Sequence, residues 1–179
     1  MSVRFLLDRF SEAPEKTAII GSRERVSFGA LKRRIEEMGK LEPGLPPPGA
    51  VCLARGPASA SFIATLLFLA QRECIVVPLS DSLSLEAEGY AEPALGEWVA
   101  HADTSGKVRF VLHSDRKEHE LLDALRRSGR AGLILFTSGS SGQPKAVLHD
   151  LNRFLAKFRR RRHDFKTLLF LPLDHVGGL

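Results

Sequence analysis

Ala50-Val51-Cys52-Leu53-Ala54, the apolar run from Ser59 to Gln71, and Cys74-Ile75-Val76-Val77-Pro78-Leu79 decide the fold class of this 179-residue chain. The two short runs are apolar at consecutive positions, not alternate ones, so each reads as a strand covered on both faces. The run between them is apolar nearly all round its helical circumference, which predicts a helix buried between layers. Strand, helix, strand in that order predicts an α/β fold, with a mixed or parallel sheet and covering helices.

Toward the N-terminus, Val3, Phe5, Leu6 and Phe10 make a short helical pattern that runs into Ser11-Glu12-Ala13-Pro14. Thr17 to Ile20, turning at Gly21-Ser22, reads as a hairpin with Val26-Ser27-Phe28. Ser27 is placed to cap a helix whose Leu31, Ile35 and Met38 share one face. Leu45-Pro46-Pro47-Pro48-Gly49 cannot continue that helix, because proline lacks the N–H and clashes with the preceding turn, so it serves as a stiff connector. Toward the C-terminus, residues 81–106 hold six acidic residues (Asp81, Glu86, Glu88, Glu92, Glu97, Asp103) and no Lys or Arg, and are predicted to be exposed and partly irregular. Strands are expected at Val108–Leu112, Leu133–Phe136 and Leu168–Leu171, and helices at Glu118–Arg127 and from about Asp150.

The bulk properties exclude some classes. With 26 Lys+Arg against 21 Asp+Glu the formal charge is +5, which favours anionic partners without naming one. The longest apolar stretch, Phe62 to Ala70, falls far short of the roughly 20 residues of a membrane-spanning helix. The N-terminal apolar run, broken by Asp8 and Arg9, is too short for a signal peptide. Cys52 and Cys74 form no C-x-x-C pair or metal-ligand cluster and read as buried thiols of a reducing compartment, so a cytoplasmic protein is expected. The basic run Lys157 to Arg162 raises nucleic-acid binding. Leu151, Phe154, Leu155 and Phe158 fall at i, i+3, i+4 and i+7, however, and make it the last turn of an amphipathic helix, where positive charge suits the helix dipole. No zinc-finger spacing or RNP-like aromatic pattern accompanies the run, and no nucleic-acid partner is expected.

After the apolar strand Gly132-Leu133-Ile134-Leu135-Phe136 comes Thr137-Ser138-Gly139-Ser140-Ser141-Gly142-Gln143-Pro144-Lys145, with four hydroxyls, two glycines and one lysine in nine residues. Glycines let backbone N–H groups converge on an oxyanion, hydroxyls add adaptable donors, and lysine supplies a mobile positive charge, so the composition suits a polyphosphate. The spacing is not that of a Walker A loop, since Pro144-Lys145 is followed by Ala146 and not by Ser or Thr, and it is not a G-x-G-x-x-G turn. On composition alone such a Ser/Gly-rich segment is more often a flexible connector.

The whole string resembles the phosphate-binding signature of the adenylate-forming (AMP-binding) superfamily of acyl-CoA synthetases, peptide-synthetase adenylation domains and luciferases, a strand followed by T/S-S-G-S/T-T/S-G-x-P-K. Ala13-Pro14 through Ala18 and Val26-Ser27-Phe28-Gly29-Ala30-Leu31 look like that superfamily's opening. Leu171-Pro172-Leu173-Asp174-His175-Val176-Gly177 resembles its P-L-x-H-x-x-G motif. One mild departure is Ala146, where the family usually has glycine.

The resemblance implies that Thr137, Ser138, Gly139, Ser140, Ser141, Gly142 and Lys145 hold the phosphates of ATP, accompanied by Mg²⁺. It implies that His175 borders the acyl pocket, although a hydrogen-bonded loop histidine is the plainer reading of that residue; His149, just before the expected helix cap Asp150, is read as structural. The implied activity is ATP-dependent activation of a small carboxylic acid to an acyl-adenylate, with transfer to coenzyme A or to a phosphopantetheine carrier protein. Residues 1–179 are accordingly expected to form an incomplete N-terminal AMP-binding domain, inactive alone. The family's adenine-binding aromatic motif, ribose-binding aspartate, hinge and C-terminal lysine would lie beyond Leu179, so no catalytic residue or metal ligand is assigned within the chain. The alternative is a non-catalytic phosphate-binding or interaction module completed by another polypeptide. Bare apolar faces left by an interrupted sheet would favour such a partner or a homo-oligomer.

Overall fold

The three apolar runs from residue 50 to 79 build the centre of a twisted sheet. The structure, a computed structural model, describes residues 3–22, 24–41, 43–80, 92–103, 105–138, 144–160, 166–169 and 171–174. In chain order its elements are α1 (Arg4–Glu12), β1 (Thr17–Ile20), β2 (Arg25–Ser27), α2 (Phe28–Met38), β3 (Val51–Gly56), α3 (Ala60–Gln71), β4 (Ile75–Ser80), β5 (Trp98–Ala102), β6 (Val108–Leu112), α4 (Glu120–Arg127), β7 (Gly132–Ser138), β8 (Pro144–Asp150), α5 (Leu151–Leu155) and a 3₁₀ turn, Ala156–Phe158. β1 and β2 pair as a separate antiparallel hairpin, and the other strands form one six-stranded sheet in the order β6-β5-β3-β4-β7-β8. β5, β3, β4 and β7 are parallel, and the two edge strands run antiparallel to their neighbours.

Side-chain alternation divides the sheet into two faces. Cys52, Ala54, Val76, Leu133 and Leu135 join the buried side chains of α2 and α3 on one face. Val51, Leu53, Ile75, Val77, Leu79 and Ile134 meet Leu122 and Leu125 of α4 on the other. All six residues of β4 are buried, as a strand covered on both faces requires. Gly132 lets α4 lie close, since a Cβ there would sit 2.6 Å from Leu125 Cδ2.

The cap predicted at Ser27 is formed, and a second one, at Ser59, opens α3. Ser27 Oγ accepts from Ala30 N–H at 3.2 Å, and Ser59 Oγ accepts from Phe62 N–H at 3.1 Å. Leu31, Ile35 and Met38 are the buried residues of α2. Phe10 of α1 stacks on Phe28 with ring centroids 5.0 Å apart, which seats the first helix on the second. Cys52 and Cys74 are free and buried; burial pushes the Cys52 thiol well above its ordinary pKa, and the neighbouring Cys74 adds to the shift.

Four expectations need correction. Within the stretch expected to be irregular and exposed, Trp98–Ala102 is a strand paired on both sides, and Glu97 is 4% exposed. The reading treated acid content as solvent exposure, whereas Glu97 has a guanidinium partner contributed by α4. Residues 81–91 lie outside the described residues. The helix after Asp150 ends at Leu155 and continues only as a 3₁₀ turn to Phe158, so Arg159 and Arg160 are not in its last turn. At that point Arg9 of α1 donates to Phe158 O at 3.0 Å and to Arg159 O at 2.5 Å, taking up carbonyls that no further helical turn supplies with donors. Among the described residues of 168–171 no strand forms, and Leu168 is 82% exposed. A strand needs a ladder partner, and among the described residues none of Leu168, Leu169 and Leu171 joins the ladder beyond β8. Finally, α3 is not covered all round: Phe62, Phe68 and Leu69 are buried, but Ile63, Leu66 and Leu67 are only partly so.

Asp150 caps α5 by accepting from Asn152 N–H at 2.9 Å and Arg153 N–H at 3.3 Å, and its other oxygen accepts from Arg130 at 2.7 Å. Burial alone would raise its pKa, but the Arg130 hydrogen bond and the two backbone N–H groups outweigh it and hold the carboxyl below its ordinary value. A depressed folded-state pKa contributes stability above the unfolded value of about 3.9 that is lost as pH falls through the folded one. Asp150→Asn keeps a capping oxygen and removes the charge. Its deficit relative to the native chain in urea unfolding is therefore expected at neutral pH and to shrink below about pH 4; a deficit constant with pH would contradict this.

Candidate active site at the carboxyl edge of the sheet

The hydroxyl- and glycine-rich segment begins where β7 ends. β7 and β8 form an antiparallel hairpin in which Thr137 stands opposite Lys145 and Ser138 opposite Pro144. Directly opposed residues in such a ladder have Cβ atoms roughly 5 Å apart on the same face, so the Thr137 hydroxyl and the Lys145 chain project together. Both are exposed. The structure thus brings Thr137 and Lys145 together across one ladder; the side chain of Ser138 and all of Gly139, Ser140, Ser141, Gly142 and His175 lie outside the described residues.

The location of this hairpin follows from topology. β4 and β7 are parallel neighbours, joined at Ile75–Gly132 and Val76–Leu133, and both run to the same edge, ending at Ser80 and Ser138. From there the chain after β4 returns past β3 to β5, whereas the chain after β7 turns outward to β8. Adjacent strands whose connections leave in opposite directions open a crevice at their carboxyl ends, where open α/β sheets bind ligands. Pro78 has no N–H to give a ladder at this end of β4.

A second contact sits at the same edge and was missed by sequence reasoning. Asp174 is 4% exposed, and its Oδ2 accepts from the Ser80 backbone N–H at 3.1 Å and from the Ser80 hydroxyl. The segment that resembles P-L-x-H is thereby tied to the tip of β4, next to the strand that leads into the glycine- and hydroxyl-rich segment. The missed signal was an acidic residue inside an apolar segment, which needs a buried donor to be stable there. Asp174→Ala would remove the acceptor shared by the Ser80 N–H and hydroxyl, at a cost of about 1–3 kcal/mol. Faster limited proteolysis within residues 166–174 is the expected readout, and an unchanged cleavage rate would mean that the tie does not hold the segment.

His149 pairs with Leu133 across the ladder, and its ring lies 5.9 Å from that of Phe154, away from the loop end of the hairpin. Among the described residues no group of three or more His, Cys, Asp or Glu side chains could hold a metal ion, and no helix is long and apolar enough to cross a membrane.

No protein-family model matches the chain. The N-terminal subdomain of NpsA from Klebsiella oxytoca, in complex with 3-hydroxybenzoyl-AMSN, superposes with a TM-score of 0.64 at 20% identity, over 87% of this chain and 42% of that one. The chain thus shares the fold of the NpsA N-terminal subdomain. NpsA-ThdA, an artificially fused adenylation–PCP di-domain peptide synthetase from the same organism, matches with a TM-score of 0.63 at 20% identity, over 87% of this chain and 34% of that one. VinN in complex with L-aspartate matches at 0.62 and 16% identity, over 86% and 49% of the two chains. In sequence, the phenyloxazoline synthase MbtB of Mycobacterium sp. (strain MCS) is 25% identical over 146 residues, which span 76% of this chain and 12% of that protein. The chain therefore spans less than half the length of these structures and about an eighth of this relative.

Proposed function

We propose that this chain is the phosphate-binding front of an ATP-dependent carboxylic acid–thiol ligase, which forms an acyl-adenylate and passes the acyl group to coenzyme A or to a carrier protein's phosphopantetheine thiol. The observation that carries the reading is the place of the Thr137–Lys145 segment: it starts at the carboxyl end of an inner parallel strand, beside the crevice between β4 and β7, with Lys145 opposite Thr137. A cation and hydroxyl facing the same opening are suited to the charge of a triphosphate and of the departing pyrophosphate. The donor set fits nucleotide phosphates, with Thr137, Ser138, Gly139, Ser140, Ser141, Gly142 and Lys145 as the binding loop and His175 at the acyl pocket. Mg²⁺ would be held mainly through the nucleotide's own phosphate oxygens, as is common for this ion. The acyl substrate is a small carboxylic acid, and the work is done in the cytoplasm.

The test starts from the polypeptide as isolated from its native cell. Its intact mass is compared with that of the 179 residues, and it is assayed for ATP–pyrophosphate exchange over a panel of aryl, fatty and amino acids. Acid-dependent exchange supports the proposal. Binding of ATP or pyrophosphate without exchange by any acid would favour the non-catalytic phosphate-binding reading, and absence of both would remove the loop's assignment.

A further inference from the structure

Three basic residues stand side by side across the sheet. Arg55 of β3 is opposite His101 of β5, and His101 is opposite Arg109 of β6, so the three form one row on one face, at strand spacings of about 4.8 Å. Leu53 and Val99, two residues earlier on the same strands, belong to the cluster that contains Leu122 and Leu125, which puts the row on the α4 face. None of the three strands contains an Asp or Glu. Arg55 and His101 are half-buried and Arg109 is exposed, so the row is open to solvent. Like charges directly opposed destabilise a ladder, and an anion laid across them removes that cost. His101 responds to its place in the row: burial lowers its pKa, and the charges of Arg55 and then Arg109 lower it further. The other charged groups at this end of β5 and β6 are Asp103 and Lys107. The Asp103 carboxylate is taken up by its own turn, accepting from the Ser105 hydroxyl and from the N–H groups of Ser105 and Lys107.

We infer that the row Arg55–His101–Arg109 binds a tetrahedral oxyanion, either free phosphate or the phosphate group of a small ester. The two guanidiniums offer forks of N–H donors that match such oxygens, and the imidazole between them adds a third donor, a cationic one when protonated. This site is distinct from the Thr137–Lys145 hairpin. Thr137 has the strand parity of Leu133 and Leu135, whose side chains lie in the cluster on the α2 and α3 face, so Thr137 and Lys145 project from the opposite side of the sheet. β3 and β8 are also three strand spacings apart, about 14 Å.

Sulfate is the probe, because its own charge does not change over the range where histidine titrates. It is titrated against the full chain at constant ionic strength, with the His101 ring followed by NMR. The anion favours the imidazolium, so affinity is expected to be level at neutral pH and to rise about 10-fold as pH falls through the lowered pKa of His101, and bound sulfate should raise that pKa correspondingly. His101→Gln should keep the neutral-pH affinity and lose the rise. Arg109→Gln, at an exposed position and checked for an unchanged melting temperature, should weaken sulfate about 10-fold, and without the anion it should raise the pKa of His101; Arg109→Lys should recover part of the affinity. The titration of His101 in the native chain needs no variant, and sulfate that leaves it unchanged overturns the inference. So does native affinity in Arg109→Gln. Binding abolished by Lys145→Ala but kept by Arg109→Gln would put the anion at the hairpin and overturn it too. Inorganic phosphate and glycerol 1-phosphate, compared at one pH, separate the two sources: tighter binding of the ester points to a phosphorylated small molecule, equal binding to the free ion, and either supports the site.

Discussion

Replacing Arg126 with methionine is expected to cost about 3–5 kcal/mol of stability, enough to leave much of the chain unfolded at 37 °C. Arg126 and Glu97 form a salt bridge in which both side chains are 5% exposed. The guanidinium also donates to Gly49 O at 3.0 Å, Lys117 O at 2.8 Å and Asp123 Oδ1 at 3.0 Å. The Glu97 carboxylate accepts from Val51 N–H and Lys117 N–H, both at 3.2 Å. One ion pair therefore ties the proline connector, the start of β3, the loop after β6 and α4 together at the edge of the sheet opposite the candidate site. Removing Arg126 leaves a buried carboxylate with two N–H donors but no cation. Removing both partners, as in Glu97→Leu/Arg126→Met, is not expected to restore stability in full, because the buried Val51 N–H would lose its acceptor and the half-buried Gly49 carbonyl its donor. Urea unfolding of the two variants decides the matter, and a loss below about 1 kcal/mol for Arg126→Met would show that solvent reaches the pair.

Lys145→Ala is expected to lower ATP–pyrophosphate exchange about 10²-fold in the native-length polypeptide, the usual scale for removing one charged donor from a developing anion. Because Lys145 is exposed on an edge strand, the melting temperature should barely move. A fall in kcat with little change in KM for the acid would place the cation on the departing pyrophosphate and not on the acyl group. Lys145→Arg should recover part of the rate, since charge matters more than shape for a point-charge contact. If Lys145→Ala left both exchange and pyrophosphate affinity unchanged, the phosphate role of the hairpin would be lost, and with it the strongest link between this fold and adenylation.

How far each feature was legible depended on how local its cause is. The strand–helix–strand order, the Ser27 and Asp150 caps and the hairpin near the N-terminus rest on neighbours within a few residues, and all formed as read. The glycine–hydroxyl–lysine segment stood out for the same reason, its residues being packed into nine consecutive positions. By contrast, β5 was hidden because the acidic residue at its threshold suggested solvent, and the cation that neutralises Glu97 comes from Arg126, 29 residues later.

The chain's order of residues by itself determined an α/β sheet built on runs buried from both sides, and a glycine–hydroxyl–lysine segment directly after one of those strands. Only the tertiary structure decided where that segment lies relative to everything else. Placing β7 beside β4 is a choice of strand order, set by how α3 and α4 pack on opposite faces, and no local pattern encodes it. The tie from Asp174 to Ser80 spans 94 residues, and the partial cover of α3 becomes visible only when its neighbours are in place. Hydrogen bonds between distant residues and the filling of a sheet face depend on the whole chain at once, whereas caps, periodicity and loop chemistry are settled within a turn or a strand.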